Sequence, residues 1–439
     1  MNLGLGRNSC NPKKKTNESA LQKLLQKQTQ KQSQSNVVDE EQLSKESLVD
    51  TVNNEFGGKV VLNKTALRRA WLFFKKKYKH SFSSAQEDKK RNQIFQENVQ
   101  FVLESNSKRS QTFALALNEF ADWTQEELEN YRKGLNELSE KERRSYDDSN
   151  YEADGDVARR VLSKLYRHDT NKRDWKQNFM EESDDWKHQY DKRFIKDIFH
   201  DILHPDKTNY DKVVLPDSFD WREKNLVSSI KNQLECGSCY AFATIAVLES
   251  LYAWKNNLKE VIDFSPQQIV DCSSGNNGCG GGTFGPSIRY LQKNHGKLSR
   301  LNSYPYTAVA SEQCRKNDTN QVHLGNLQYR SIAVGNEVIL AKALTIKGPI
   351  FIGLNTKSKL FTFYKEGVYK VDNCSNSRMS MDHALALVGY GFDKELQLPY
   401  WIIKNSYGTT WGENGYLRLA KDNGNMCGVA TMASFAELT

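Results

Sequence analysis

Apolar positions are distributed along the chain in three regimes. Residues 1 to about 60 are polar almost throughout, as in "LLQKQTQKQSQSN", and cannot bury enough apolar surface to fold alone. Residues 1–64 are therefore expected to be a disordered or loosely helical low-complexity extension. From Thr65 to about Leu135 aromatic and aliphatic residues recur at helical spacing, in "TALRRAWLFFKKKYKHSF" and again in "EDKKRNQIFQENVQFVLESN". In the second stretch Phe95, Val99, Val102 and Asn106 share a face, with Phe101 on a neighbouring stripe. "TFALALNEFADWT" then predicts a short strand entering a turn, with Thr124 as N-cap of "QEELENY". From about Leu215 the text becomes that of a compact domain, 214–439. Helical segments come first ("CYAFATIAVLESLYAWKNN", "SPQQIVDC"), and apolar strands follow ("GPIFIGLN", "HALALVGYG", "YWIIKNS", "GYLRLA"). A helical half followed by a β half predicts an α+β domain of two lobes with a cleft between them.

Between these regimes, residues 136–213 alternate charged and aromatic residues and carry dibasic pairs at Arg143–Arg144, Arg159–Arg160, Lys172–Arg173 and Lys192–Arg193. This reads as an exposed charged linker with local helices, or as a processing region, since exposed basic loops are easily cut. No internal repeat is visible.

Composition changes this picture little. The chain has 439 residues, 38% hydrophobic and 26% charged, with a formal net charge of +8. The excess Lys and Arg lie scattered ahead of residue 214 without interleaved aromatics, so no nucleic-acid partner is expected. No apolar run approaches the roughly 18 residues that a membrane span needs. The opening "MNLGLGRNSCNPKKK" has no apolar signal-peptide core, so either the true start is missing or secretion follows another route.

The cysteines point the other way. Of eight, only Cys10 lies outside the last half of the chain; the others are Cys236, Cys239, Cys272, Cys279, Cys314, Cys374 and Cys427. Seven in one domain suggest three disulfides and one free thiol, and hence an oxidising compartment. Asn-x-Ser/Thr triplets at Asn17, Asn63, Asn317 and Asn373 are compatible with secretion and glycosylation.

Cys236-Gly-Ser-Cys239 could hold a metal, run a dithiol redox cycle, or divide its duties. Zinc would need a second ligand pair, and none is present. Thioredoxin-like chemistry would need a neighbouring βαβ pattern. A nucleophilic Cys fits better, because Cys239 opens a helix whose first N–H groups and dipole favour a thiolate. The domain offers three histidines as base. His295 and His323 sit in polar, loop-like text, whereas His383 opens the apolar run "HALALVGYG". Seen alone, His383 could be a buried structural residue. Asn405, after the strand "YWIIK", could accept its ring N–H and orient it.

"CGSCY" with His383 144 positions and Asn405 166 positions beyond Cys239 resembles the papain family of cysteine proteases, closest to the cathepsin L group. The Asn lies late for that pattern, which an inserted loop at "GFDKELQLPYW" would explain. The resemblance covers about 215–439 and implies a papain-like fold, with a helical left lobe and a β-barrel-like right lobe, and no cofactor or metal. It implies Cys239 as nucleophile, His383 as its acid–base partner, Asn405 as the ring's orienter, and Gln233 with the Cys239 N–H as oxyanion hole. It further implies the disulfides Cys236–Cys279, Cys272–Cys314 and Cys374–Cys427. Gly281 and Gly282 would admit a substrate backbone. Phe284, Met381, Ala384 and Met432 would line an apolar pocket for the residue two before the cut, with Trp411 also on the substrate surface. Two departures are Tyr240 and Tyr407, each where Trp is usual; Tyr407 would leave the His–Asn bond wetter.

Upstream, Glu87, Arg91, Phe95, Asn98, Val102 and Asn106 resemble the cathepsin L-type propeptide helix, with Val for the usual Ile. Ala116, Asn118, Phe120 and Asp122 resemble the motif that follows it. This implies that 65–135 is a small helical inhibitory propeptide domain whose end passes through the cleft; its release at acid pH is expected if Glu87 and Asp122 are ion-paired, because protonation removes those contacts. The expected protein is therefore the zymogen of a cysteine endopeptidase, lysosomal, endosomal or extracellular, acting on protein and peptide substrates. It would be a monomer open to cystatin-type inhibitors. The competing reading is a catalytically silent papain-like binding or inhibitor protein.

Overall fold

In a computed structural model of the chain, residues 49–53, 59–62, 64–108, 110–135, 204–311, 313–315 and 320–439 are described. The expectations for 1–48 and 136–203, with the dibasic pairs and the sequons at Asn17, Asn63 and Asn317, lie outside them. The chain divides into two compact units, Met1–Lys108 with Lys394–Leu396, and Arg109–Asp393 with Gln397–Thr439.

The first unit holds two helices. Helix α1 (Lys64–Tyr78) buries Leu67, Ala70, Trp71 and Phe74, the three-and-four spacing of one helix face, and ends on Lys75, Lys76 and Lys77, which suit the negative end of its dipole. Helix α2 (Ala85–Asn106) is started by Ser84, whose hydroxyl accepts from the Glu87 N–H at 3.1 Å. It buries Phe95, Asn98, Val99 and Val102, while Asn106 is half-buried. Trp71 stacks on Phe82 at 5.9 Å, and Phe95 lies 5.3 Å from Trp71 and 4.9 Å from Phe74. Each such ring contributes about 1.5–3 kcal/mol by burial.

Two strands, β1 (Val49–Asn53) and β2 (Lys59–Leu62), pair antiparallel with Val52 opposite Val60. They fall in the stretch expected to lack structure. Averaged with its Gln-rich neighbours the segment reads as polar, but locally its valines favour a strand on either side of "NEFGG".

The second unit opens with strand β3 (Phe113–Leu115), so the propeptide region mixes helix and strand and is not purely helical. Helix α3 (Gln125–Arg132) follows, and its cap is reciprocal. Thr124 Oγ1 accepts from the Glu127 N–H at 3.2 Å while Glu127 Oε2 accepts from the Thr124 N–H at 2.7 Å. The catalytic-size domain then carries β4 (Phe219–Asp220), α4 (Cys239–Lys255), α5 (Pro266–Cys272), α6 (Phe284–Lys293), β5 (Lys297–Ser299), β6 (Gln321–His323) and β7 (Leu327–Ser331). After these come α7 (Glu337–Lys347), β8 (Ile350–Leu354), α8 (Lys359–Thr362), β9 (Tyr364–Tyr369), β10 (His383–Asp393), β11 (Leu398–Lys404), β12 (Tyr416–Ala420) and β13 (Ala433–Leu438).

Helix α4 is buried on almost every side, as a helix apolar all round must be, and packs against β10 and β13. The main sheet runs β3-β9-β12-β11-β10-β8-β13-β7, with β4 pairing β10. Among the described strands it stays open at β3 and β7, so the barrel-like lobe expected from the family resemblance is an open, mostly antiparallel sheet. Strand β10 pairs β8 and then β4 along one edge, and Gly389 makes the change possible: a Cβ there would meet Phe219 O at 2.6 Å. The proposed inserted loop at "GFDKELQLPYW" is a hairpin, paired as far as Asp393 opposite Leu398. Residues 204–213, grouped by sequence with the linker, lie along the domain. Asp206 N–H donates to Ser331 O at 2.8 Å, and Lys342 Nζ donates to Tyr210 O at 2.9 Å.

Candidate active site

Cys239 is the first residue of α4 and the only free cysteine, fully buried, among the described residues. The other six are joined as Cys236–Cys279, Cys272–Cys314 and Cys374–Cys427. The Cys-x-x-Cys pair thus divides into a staple and a thiol, and no metal-holding group of His, Cys, Asp or Glu occurs among the described residues. The Ala384 N–H donates to Cys239 Sγ at 3.3 Å, which brings the first turn of α4 against the start of β10. Burial pushes the thiol up to about 12, opposed in part by the N–H groups of Ala384, Tyr240 and Cys239.

His383, the first residue of β10, is fully buried. Its Nε2 lies 2.8 Å from Asn405 Oδ1, which also accepts from the Ser406 N–H at 2.8 Å. Because an amide carbonyl oxygen carries no proton and can only accept, the imidazole must donate through Nε2. The proton of the neutral ring is fixed there, and Nδ1 is left as its basic nitrogen. Tyr407 lies over the ring at 4.7 Å, and Phe361 stands edge-on at 6.3 Å. Tyr407 is 2% exposed in this form. Lys404, just before Asn405, is buried with Nζ on Ser228 O and Oγ at 2.8 and 2.7 Å, and Ser228 Oγ donates to buried Glu249. Desolvation lowers Lys404 to about 8.

Gln233 is fully buried and tied at every polar atom. Its N–H donates to Ser406 O at 2.9 Å, and its Oε1 accepts from Ser406 Oγ at 2.7 Å. Its carbonyl accepts from Tyr306 OH at 2.6 Å. The amide nitrogen donates to Cys236 O at 3.0 Å and Tyr131 O at 3.3 Å.

That last acceptor belongs to the segment that fills the cleft. The Gly282 N–H donates to Gly134 O at 2.9 Å, and a Cβ on Gly134 would overlap Cys239 Sγ and stand 2.8 Å from Gly237 O. Only a glycine can lie so close over the thiol. Leu135, 3% exposed, joins the apolar cluster of Phe284, Met381 and Ala384, with Met432 packed against it. Gly281 takes φ 113°, which favours glycine, and brings its carbonyl to the Asn277 N–H at 2.8 Å. Trp411 lies beneath the segment, donating to Phe361 O and Thr362 O at 3.2 Å each.

The segment is anchored before it reaches the thiol. Strand β3 pairs β9, Asn118 Nδ2 donates to Thr362 O at 2.7 Å, and Phe120 and Tyr131 lie 5.5 and 4.9 Å from Tyr407. Asp122 is 1% exposed. In the other unit Glu87 and Arg91 form an ion pair at 2.7 Å. Sequence reading missed Tyr131, Gly134, Leu135 and Tyr306. The sole trace of Gly134 and Leu135 is a small residue and a leucine after the capped helix, within which Tyr131 lies; Tyr306 sits in "SYPYTA" with no spacing that marks it.

Comparison with known proteins accords with this geometry. Residues 215–437 match the family described as papain family cysteine protease, and residues 71–128 match the cathepsin propeptide inhibitor domain. The chain belongs to the papain family of cysteine proteases. Within it the chain is cathepsin L-like and carries the family's inhibitory propeptide. It is 34% identical to the cathepsin L-like proteinase of Fasciola hepatica over 370 residues, 83% of this chain and 91% of that protein. It is 40% identical to cathepsin L2 of Homo sapiens over 225 residues, 50% of this chain. The chain spans 65% of the human protein, just under two thirds of its length. The structure of digestive procathepsin L 3 from Tenebrio molitor larval midgut superposes with a TM-score of 0.64 at 28% identity, covering 85% of this chain and 99% of that one.

Proposed function

We propose that this chain is the zymogen of an endopeptidase in which Cys239 attacks a peptide carbonyl. His383 takes the thiol proton and returns it to the leaving amine, and water then releases the acyl-enzyme. Asn405 holds the imidazole, and Gln233 Nε2 with the Cys239 N–H binds the oxyanion, a pair of donors worth several kcal/mol in the transition state. Gly281 and Gly282 guide the substrate backbone. Phe284, Met381, Ala384 and Met432, with no acid among them, select Leu, Val or Phe two residues before the cut, and Trp411 borders the leaving side.

The observation that carries this reading is the placement of Gly134 over the Cys239 thiol with Leu135 in the apolar pocket. A segment that meets the nucleophile, an oxyanion donor and the specificity pocket together is what an inhibitor of this chemistry requires. The silent-binder alternative gives no reason to keep all four polar groups in register. Boundaries at 64, 135 and 213 complete the reading, with a monomeric, cystatin-sensitive enzyme in lysosomal, endosomal or extracellular space.

Release at acid pH requires that the acidic side chains Asp122 and Glu87 be ion-paired in the zymogen, since protonating a paired carboxylate removes that contact. Glu87 pairs with Arg91 within its own helix, a part-buried i,i+4 contact worth only about 0.3–0.5 kcal/mol, whereas Asp122 is buried. Incubating the full chain at acid and neutral pH with an epoxide thiol inhibitor and a Leu-containing peptide tests the proposal. Labelling at Cys239 that blocks hydrolysis is expected; absence of labelling at any pH overturns it. An Asp122→Asn variant that activates at an unchanged pH overturns the acid trigger.

A further inference from the structure

Gln233 lies in the loop before α4 and Cys239 in its first turn, so an oxyanion hole made from both holds its shape only if loop and helix are fixed to each other. The disulfide Cys236–Cys279 fastens that loop to the segment just before Gly281 and Gly282. A second tie comes from elsewhere in the chain. Tyr306 is half-buried with its ring edge-on to Phe242 at 4.7 Å, and its hydroxyl lies 2.6 Å from Gln233 O and 2.6 Å from Ser238 Oγ.

The carbonyl of Gln233 can only accept, so the single phenolic proton goes to it, and Ser238 must donate to Tyr306. The Ser238 hydroxyl has one other acceptor in range, Cys236 O at 3.4 Å, a much longer contact. Ser238 stands at the N-cap of α4, yet its side chain makes no capping hydrogen bond. A serine there ordinarily accepts from the second or third N–H of its helix. Here the hydroxyl is turned to Tyr306. Burial pushes the Tyr306 phenol up to about 12, so it remains a donor across the working range of pH.

From these contacts we infer that Tyr306 is a positioning residue for the oxyanion hole, its hydroxyl bridging the Gln233 carbonyl and the Ser238 side chain so that the two donors keep their spacing. The inference rests on the enzymatic reading above. Tyr306 touches neither substrate nor thiol in this role; it acts through Gln233 and Ser238. Its effect is therefore confined to the step in which negative charge develops on the carbonyl oxygen, and substrate affinity is left to the pocket.

The test uses the full chain, activated and titrated for its reactive thiol, as wild type and as Tyr306→Phe. Misplacing such donors costs about ten- to a hundredfold, so kcat should fall by that factor with KM unchanged. Inhibition by a peptide aldehyde, whose thiol adduct puts an oxygen in the hole, should weaken in parallel, while binding of the matching peptide alcohol stays the same. Unchanged kcat and aldehyde inhibition overturn the inference. So does an equal loss for aldehyde and alcohol, which marks a merely structural residue. Should Tyr306→Phe not fold, Ser238→Ala removes one arm of the bridge and should lower kcat by about three- to tenfold at constant KM, with no change overturning the bridge. An inactive wild type instead refutes the enzymatic reading itself.

Discussion

The helical pair Lys64–Asn106 and the segment Phe113–Leu135 both overlap the propeptide inhibitor match at 71–128, yet they are held by different means. The helices carry their own core, with Trp71, Phe74, Phe82 and Phe95 packed on each other. The segment keeps only a small aromatic cluster of its own, Phe120, Trp123 and Tyr131 with rings 5.1 to 5.4 Å apart, and takes the rest from the domain it crosses. It borrows a strand partner in β9, a carbonyl at Thr362, an aromatic face at Tyr407 and a pocket at Leu135. One region is defined by what it buries within itself, the other by what it covers. The segment's contacts at the thiol and at Gln233 are therefore made by backbone, at Gly134 and Tyr131 O, where few side chains announce them.

The largest perturbation removes the chemistry and leaves both regions in place. Cys239→Ala should reduce peptide hydrolysis by more than about a thousandfold and abolish self-processing, with the melting temperature nearly unchanged; residual cleavage at the wild-type rate would contradict its assignment. Phe95→Ala attacks the self-contained region. Loss of a ring from that core should cost about 3–5 kcal/mol, read as lost amide-exchange protection across α1 and α2. Retained protection would mean that the aromatic cluster is not what holds them.

Gly134→Ala attacks the borrowed region where it meets the thiol. The added methyl cannot coexist with Cys239 Sγ, so the segment must lift, and thiol labelling of the zymogen should quicken about ten- to a hundredfold, equivalent to about 1.4–2.7 kcal/mol. A protonation profile sharpens the same point. Burial raises the Cys239 thiol, so the thiolate is depleted at neutral pH and the alkylation rate of the zymogen should climb about tenfold per pH unit without levelling near neutrality. Cutting the chain after Leu135 and removing the segment should bring the plateau down into the acid to neutral range; an identical profile before and after would show that the segment does not control the thiol. The smallest effect is at the cap. Thr124→Ala should weaken α3 by about 1 kcal/mol, seen as a modest rise in labelling at constant catalytic rate.

Much of this was legible in order along the chain. The α2 face, the Thr124 cap, the buried helix behind Cys239 and the apolar strand behind His383 all follow from local spacing, because each periodicity is written within a dozen residues. Misreadings arose where a property depends on pairing or on averaging. The β1–β2 pair was hidden by the polar text around it, and β3 was read correctly as a strand without revealing that its partner is β9. Whether the sheet closes depends on which strands meet at its ends, a relation between segments hundreds of residues apart.

The sequence by itself determined the residue types of the site, one odd thiol among seven cysteines, and an amphipathic propeptide helix, since each is a matter of composition or short-range period. Tertiary structure alone decided that Asn405 accepts from His383, that every polar atom of Gln233 is tied, that Gly134 covers the thiol, and that Tyr306 reaches both Gln233 O and Ser238 Oγ. Those relations are distances between atoms far apart in the chain, and hydrogen bonds lose their strength within a fraction of an ångström. No local pattern encodes such separations; the packing of α4 against β10 sets them.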